Sequence, residues 1–314
     1  MYCFKIFKEF SFNFKGTKIC LHSKNILLFL THIWRLMRIF ACNYLPDTAH
    51  CRIGYYVKTI SFKMAKTIAI IPARYASTRF PGKPLAILGG KPVIQRVYEQ
   101  VTDVLDEAYV ATDDERILKA VKAFGGNAVM TSPHHKSGTD RIQEAATLVG
   151  TDADIIINVQ GDEPFIQKSQ LLTVKALFED AQTQIATLGK PFESIEAAEN
   201  PNSPKIVTDV NGYALYFSRS VIPFIRGKEK SEWLSSFPFL KHIGLYAYRR
   251  EVLAEITKLP QSPLEIAESL EQLRWLQNGY RIKVGITDIE TVGIDTPEDL
   301  VRAERQLRLI SSNN

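Results

Sequence analysis

TIAIIPARYASTRFPGKPL, residues 67–85, opens as a run with almost no polar side chain and then becomes a loop carrying Arg74, Arg79 and Lys83. A short, continuously apolar run is how a strand covered on both faces reads. In open α/β sheets, ligands bind beyond the carboxyl ends of such strands, so the three cations stand where a ligand is expected. The stretch therefore predicts an α/β layered domain and places its site.

Working outward, β-rich runs alternate with helical patterns, which predicts a mostly parallel sheet. PVIQRVYEQVT (92–102) reads as a helix with Pro92 in its first turn, EAYVATD (107–113) as a strand, and ERILKAVKAFGG (115–126) as a helix closed by glycine. NAVMTS is a short strand, PHHKSG a loop, and 139–149 a helix. DIIINVQGDEP (154–164) repeats the opening pattern, an apolar central strand stopping at a polar cluster. Beyond it the alternation loosens: KIVTDVNGYALYFSR turns at Gly212 between two strand-like runs and KHIGLYAYR is another strand, predicting an inserted lobe. PLEIAESLEQLRWLQNG reads as one helix ending at Gly279, IKVGITD as a strand, and Asp295-Thr296-Pro297 as the start of a terminal helix.

The loop after the first strand matches neither glycine code for nucleotides. It lacks GxGxxG, and Gly82-Lys83 lacks both the upstream glycine and the Ser/Thr of a P-loop. Its content still suits a polyphosphate. Arg74, Arg79 and Lys83 offer charge-assisted donors, and Pro81, Gly82 and Pro84 constrain the backbone around Lys83. The alternative is a set of solvated loop charges. Asp162 in VQGDEP either caps a turn or binds a metal, and Asp295 in VGIDTPEDL either caps its helix or supplies a second carboxylate. One or two acids with substrate phosphates suffice for magnesium. His134 and His135 are adjacent, so in an extended loop their rings diverge and a surface role is expected. Asp140 and Arg141 read as a helix-start acid and a solvated arginine or as site residues. His242, Tyr246, Glu268, Glu271 and Gln272 carry little signal one by one.

The formal charge of +5 suggests a nucleic-acid or membrane partner until its location is considered. Residues 1–63 hold 10 Lys and Arg against 2 acids, leaving a body with 29 basic and 32 acidic residues. All four cysteines, Cys3, Cys20, Cys42 and Cys51, lie in that front segment, at spacings that fit neither a zinc site nor a redox pair. The body thus depends on neither disulfides nor a thiol nucleophile, which suits a reducing compartment. The apolar run NILLFLTHIW (25–34) is too short for a membrane span and has no small-residue cleavage site directly after it. Met64 is the expected natural start, with residues 1–63 an extension outside the native fold, an interfacial anchor being the alternative. The body, 64–314, is read as one domain with an inserted lobe.

In order, IIPARYASTRFPGKPL, HKSGTDR, NVQGDEP, NGYALYFSRS, KHIGLYAYR, SPLEIAESLEQLRWL and GIDTPEDL make the body from Met64 to about Arg308 resemble the 3-deoxy-manno-octulosonate (KDO) cytidylyltransferases, the CMP-KDO synthetases. The resemblance implies a nucleotide-diphospho-sugar transferase fold, a Rossmann-like, mostly parallel sheet with a smaller lobe for dimerisation and sugar binding. It implies transfer of CMP from CTP to KDO with release of pyrophosphate, for lipopolysaccharide biosynthesis. A cytoplasmic homodimer using Mg2+, with no nucleic-acid or membrane partner, is implied as well. Carried over by residue, Arg74, Lys83, Gly138, Arg141 and Gln160 would bind the nucleotide, and Asp162 and Asp295 the magnesium. Lys83, Asp162 and Asp295 would be catalytic, and Gln160, Arg219, His242, Tyr246, Glu271 and Gln272 would line the sugar pocket, with Arg219 on the KDO carboxylate. Arg79 is left between phosphate and solvent. The rivals are a cytidylyltransferase for another acidic sugar, a nucleotide-binding regulator without turnover, and a membrane-associated scaffold using the basic front.

Overall fold

The computed structural model describes residues 65–290 and 293–312, together with a short antiparallel pairing of Asn13–Phe14 with Thr17–Lys18. The chain divides into two compact units, residues 1–63 and 64–314, and the fold below is that of the second. The expectations about Met64, the four cysteines and the apolar run at 25–34 fall outside the described residues.

The strands are β1 (Thr67–Ala73), β2 (Ala108–Thr112), β3 (Ala128–Met130), β4 (Ile155–Asn158), β5 (Ile185–Pro191), β6 (Lys205–Thr208), β7 (Ala214–Ser218), β8 (Leu240–Arg249) and β9 (Ile282–Ile286). Among the described residues they form one mixed sheet in the order β7-β6-β8-β4-β1-β2-β3, with β5 pairing β8 and then β9. β4, β1, β2 and β3 are mutually parallel. β8 runs antiparallel to β4, β5 and β6 and so joins the parallel half to the lobe carried by the antiparallel pair β6 and β7. The Gly212 turn between those two strands is as expected, at φ +75°. The helices are α1 (Val93–Thr102), α2 (Glu115–Ala123), α3 (Gly138–Leu148), α4 (Lys168–Ala176), α5 (Ile195–Glu199), α6 (Trp233–Ser236), α7 (Arg250–Ile256), α8 (Pro263–Glu268), α9 (Gln272–Gln277) and α10 (Pro297–Ser312).

The apolar reading of β1 has a direct structural cause. Ala69, Ile71 and Ala73 pack with Val97 and Val101 of α1, while Ile68 and Ile70 pack with Ile142 and Ala145 of α3 on the opposite face. Side chains alternate across a strand, so one sheet feeds two cores and every position must be apolar. Each fully buried isoleucine contributes about 2 kcal/mol to that layering.

Two elements depart from expectation. The helix predicted over 263–279 is broken into α8 and α9 at Ser269, whose φ of +51° no helix accepts. Leu270 and Leu273 are pulled into the second core there, and the buried Glu265–Arg274 pair spans the break at 2.6 Å. β5, which no sequence feature announced, lies between β8 and β9 and is buried over 185–189.

Candidate active site

The loop after β1 is folded back on itself. Gly82 sits at φ +72° and its N–H donates to the Tyr75 carbonyl at 2.8 Å. A Cβ at Gly82 would lie 3.0 Å from the Tyr75 ring, so glycine is required by both conformation and contact. The Arg116 guanidinium covers that ring at 3.3 Å and is itself held by Asp114 at 2.7 Å. Thus Arg116, in the first turn of α2, covers the loop that presents Lys83.

The loop after β4 meets it from the other side. A Cβ on Gly161 would lie 2.8 Å from the Pro72 carbonyl, so only glycine lets the two strand ends approach this closely. The next carbonyl, that of Asp162, accepts from the Ile294 N–H at 2.8 Å and ties in the segment before α10. Asp295 is not the helix cap: the Thr296 hydroxyl accepts from the Asp299 N–H at 3.3 Å, and the Asp299 carboxylate accepts from the Asp295 and Thr296 N–H groups at 3.0 and 2.9 Å. Those bonds and the Arg302 guanidinium hold the Asp299 carboxyl at about 2. The Asp295 carboxylate is left to face inward.

The three loops enclose a cleft of about 400 Å³ lined by Arg74, Arg79, Lys83, Gly138, Arg141, Gln160, Gly161, Asp162 and Asp295. Lys83 Nζ sits between the carboxylates, bonded to Asp162 and lying 3.0 Å from Asp295. Burial works against its charge, but the two carboxylates outweigh burial and hold the ammonium above the usual lysine value. Arg79, open between phosphate and solvent in the sequence, reaches the same centre at 3.0 Å from the other Asp295 oxygen. The exposed Arg74 borders the cleft.

Among the described residues no group of three or more metal-ligating side chains occurs. The chemistry of the donor pair nonetheless fits magnesium: two carboxylates converge on one cation, Lys83 Nζ, and open onto the cleft, and one or two acids are the protein donors such an ion takes.

Arg141, read from the sequence as either a solvated arginine or a site residue, borders the cleft but is almost fully buried. Its buried guanidinium donates to Thr131 Oγ1 at 2.6 Å and Asp113 Oδ2 at 2.8 Å, bracing the end of β2 beneath the cleft. Asp113 and Thr131 are distant in sequence, so no local signal marks them. Gly138 opens α3, where the Ser137 hydroxyl accepts the Asp140 N–H at 3.1 Å.

Next to Gly138 the sugar-pocket candidates gather. Thr139 Oγ1 donates to Glu271 at 2.7 Å, and burial pushes the Glu271 carboxyl up despite the Thr139 and Ser137 hydroxyls. His242 packs on Phe217 and Tyr246 at 5.2 and 5.3 Å, and burial takes its imidazole down to about 4, so it is neutral near pH 7. Its Nε2 lies 3.2 Å from Thr187 Oγ1. Tyr246 and Gln272 are buried, with the Tyr246 hydroxyl and Gln272 Nε2 lacking a hydrogen bond. Arg219 is set apart: its guanidinium donates to the Glu268, Pro201 and Ser269 carbonyls at 2.7, 2.9 and 3.2 Å, while Glu268 accepts the Arg219 N–H at 2.9 Å. Glu268 is therefore a support for Arg219. His134 is exposed as expected, and His135 lies 2.5 Å from Glu144.

A family model described as Cytidylyltransferase matches residues 68–283. A 3-deoxy-manno-octulosonate cytidylyltransferase of Phocaeicola vulgatus is 71% identical over 246 residues, covering 77% of this chain and 98% of its own. That of Bacteroides thetaiotaomicron is 68% identical with the same coverage. Among solved structures, a CMP:2-keto-3-deoxy-manno-octonic acid synthetase complexed with CTP is 42% identical, with a TM-score of 0.73, over 78% of this chain and 99% of that one. A 4-diphosphocytidyl-2C-methyl-D-erythritol synthase from Anaerococcus prevotii, at 14% identity and a TM-score of 0.51 over 77% and 99%, shares the fold. The nucleotide-diphospho-sugar transferase architecture agrees with these relatives, and the chain belongs to the 3-deoxy-manno-octulosonate cytidylyltransferase family.

Proposed function

We infer that this chain transfers CMP from CTP to KDO and releases pyrophosphate. The observation that carries the reading is the adjacency of two chemically unlike subsites. A cation-lined cleft at the carboxyl ends of β1 and β4 adjoins, through Gly138 and Thr139, a wall of buried neutral polar groups. A triphosphate suits the first and a polyhydroxylated acid the second.

In this reading Arg74, Arg79 and Lys83 bind the triphosphate oxygens, and Gly138 and Gln160 border the nucleotide. Arg141 contributes by holding Asp113 and Thr131 in place below it. The sugar's anomeric hydroxyl oxygen attacks the α-phosphorus; the bond to the bridging oxygen breaks, pyrophosphate leaves with its electron pair, and the hydroxyl proton passes to solvent. Asp162 and Asp295 would hold magnesium, which when bound would supply a Lewis acid that lowers the pKa of that hydroxyl. The residues' own task is in-line positioning and neutralisation of charge on the α-phosphate. Glu271, Gln272, Tyr246 and neutral His242 orient the sugar. Arg219 meets its carboxylate with N–H donors beyond those on the three carbonyls.

Two copies of the chain associate, in this reading, through the lobe around β6 and β7, where Leu215 and Phe224 are exposed. No described helix is long and apolar enough to cross a membrane. A reaction that consumes CTP is, in this reading, a cytoplasmic one. The test is pyrophosphate release from CTP and magnesium with a panel of acidic sugars. Release with KDO well above that with sialic acid is expected, and equal or reversed rates would overturn the substrate assignment.

A further inference from the structure

Lys205, the first residue of β6, is 0% exposed, and the reaction described above assigns it no task. Burying an ammonium costs its desolvation, and a methionine of similar length would fill the space without that cost. What the lysine adds is a set of N–H donors. Its Nζ donates to the Arg219 carbonyl at 2.5 Å and to the Asn200 carbonyl at 3.0 Å. The next carbonyl after Asn200, that of Pro201, accepts from the Arg219 guanidinium at 2.9 Å. One buried ammonium thus ties the main chain of Arg219 to the segment that anchors the Arg219 side chain.

The neighbours of Lys205 complete a cradle. Lys205 stands opposite Ser218 in the β6–β7 ladder, so the two side chains share a face of the sheet. The Ser218 hydroxyl donates to one Glu268 oxygen at 2.7 Å, and the other accepts the Arg219 N–H at 2.9 Å. Arg219 is therefore held at its N–H by Glu268, at its carbonyl by Lys205, and at its guanidinium by carbonyls of which one lies on the segment that Lys205 fixes. The charges point the same way. Burial pushes the Lys205 ammonium below the ordinary lysine value; Glu268 opposes the shift and Arg219 adds to it. Among the described residues of this cluster two cations face one carboxylate, so an anion docking on Arg219 balances the second cation.

We propose that Lys205 is a positioning residue for the sugar acid: by holding the Arg219 carbonyl and the Asn200–Pro201 segment, it aims the Arg219 guanidinium at the substrate's carboxylate. The proposal rests on the reading of Arg219 given above. Lys205→Met removes the donors and keeps the bulk. Its KM for KDO is expected to rise about five- to tenfold while the KM for CTP stays within about twofold, because Lys205 does not line the nucleotide cleft. A residue that merely props the lobe lowers the denaturation midpoint and leaves the KM for KDO of the folded enzyme unchanged, and that result overturns the proposal. The double variant is the sharper test. If Lys205 acts through Arg219, adding Lys205→Met to Arg219→Ala raises the KM for KDO by no more than about twofold further; fully additive rises overturn it. Should the methionine variant not fold, Lys205→Gln takes its place. Its donor is one bond too short to reach both carbonyls, so a KM for KDO raised at least about threefold is expected and a kinetically silent variant overturns the proposal. Arg219→Ala alone with an unmoved KM for KDO overturns the carboxylate reading and this proposal with it, whereas a raised value there beside a silent Lys205→Met overturns this proposal alone.

Discussion

Replacing Lys83 by alanine removes the cation from between two carboxylates, and the structure gives the size of each consequence. Lys83 is 16% exposed, Asp162 24% and Asp295 47%, so the trio is neither a surface pair nor a sealed one. Exposed pairs contribute at most about 1 kcal/mol. Breaking a fully buried pair costs about 3–5 kcal/mol. The intermediate burial here puts the loss of stability at about 2 kcal/mol. Catalysis has a separate scale: removing one preorganised donor from a developing phosphoryl charge costs about 100- to 1000-fold in turnover. Lys83→Arg divides the two effects. It restores the charge, and hence most of the stability measured by denaturant titration. It replaces a compact ammonium with a planar fork that does not fit between the carboxylates and the phosphates, so pyrophosphate release stays at least about tenfold low. If Lys83→Ala keeps turnover within about threefold of wild type, or if Lys83→Arg restores rate and stability alike, then Lys83 merely neutralises the aspartates and its catalytic assignment is refuted.

Asp162→Asn and Asp295→Asn should each lower turnover about 100-fold or more, and near-wild-type pyrophosphate release in either would remove it from the metal site. Gly161→Ala drives a Cβ to 2.8 Å from the Pro72 backbone oxygen, so a loss of about 1–3 kcal/mol is expected, against near-neutrality for Gly138→Ala, whose nearest neighbour would be 3.7 Å away. Denaturation curves of the two variants check this. Asp299 has its carboxyl lowered from 3.8 to about 2 in the folded chain, so its contribution is complete above about pH 4 and is lost as pH falls toward 2. Discounted for the exposed Arg302, that is about 1–2 kcal/mol, and the stability gap between wild type and Asp299→Asn should close over that interval. Arg219→Ala should raise the KM for KDO about tenfold with the KM for CTP little changed; an unmoved KDO value rules out the carboxylate role.

What was legible in the sequence was local. β1 and β4 announced themselves because both faces of each are buried; Lys83 stood out for the Pro81, Gly82 and Pro84 frame around it, and Asp162 and Asp295 because they follow apolar runs. The start of the terminal helix was legible as well, in Asp295-Thr296-Pro297, and α10 does begin at Pro297. The rest depends on partners far along the chain. Arg141 looks solvated until Asp113 and Thr131 are brought beside it. Tyr75 is one loop residue among many until Arg116 covers it and Gly82 lies under it. The break at Ser269 was hidden because local propensity favours a continuous helix through 263–279, and burial of Leu270 and Leu273 overrides it.

That break is also what assembles the sugar side. A continuous helix would carry Glu268 and Glu271 on one stripe, three residues apart. With Ser269 in the left-handed region, Glu268 turns to the Ser218 hydroxyl at 2.7 Å and the Arg219 N–H, while Glu271 turns to Thr139 at the mouth of the nucleotide cleft. The same Ser269 carbonyl accepts from Arg219. One backbone residue thus sets the separation between the arginine assigned to the carboxylate and the acid facing the sugar hydroxyls. Asn158, at the end of the strand that leads to Gln160 and Asp162, lies opposite Tyr246 on β8. In the proposed reading the two subsites share the β4–β8 ladder as a common wall, and the α-phosphate and the attacking hydroxyl would meet at its edge, next to Gln160.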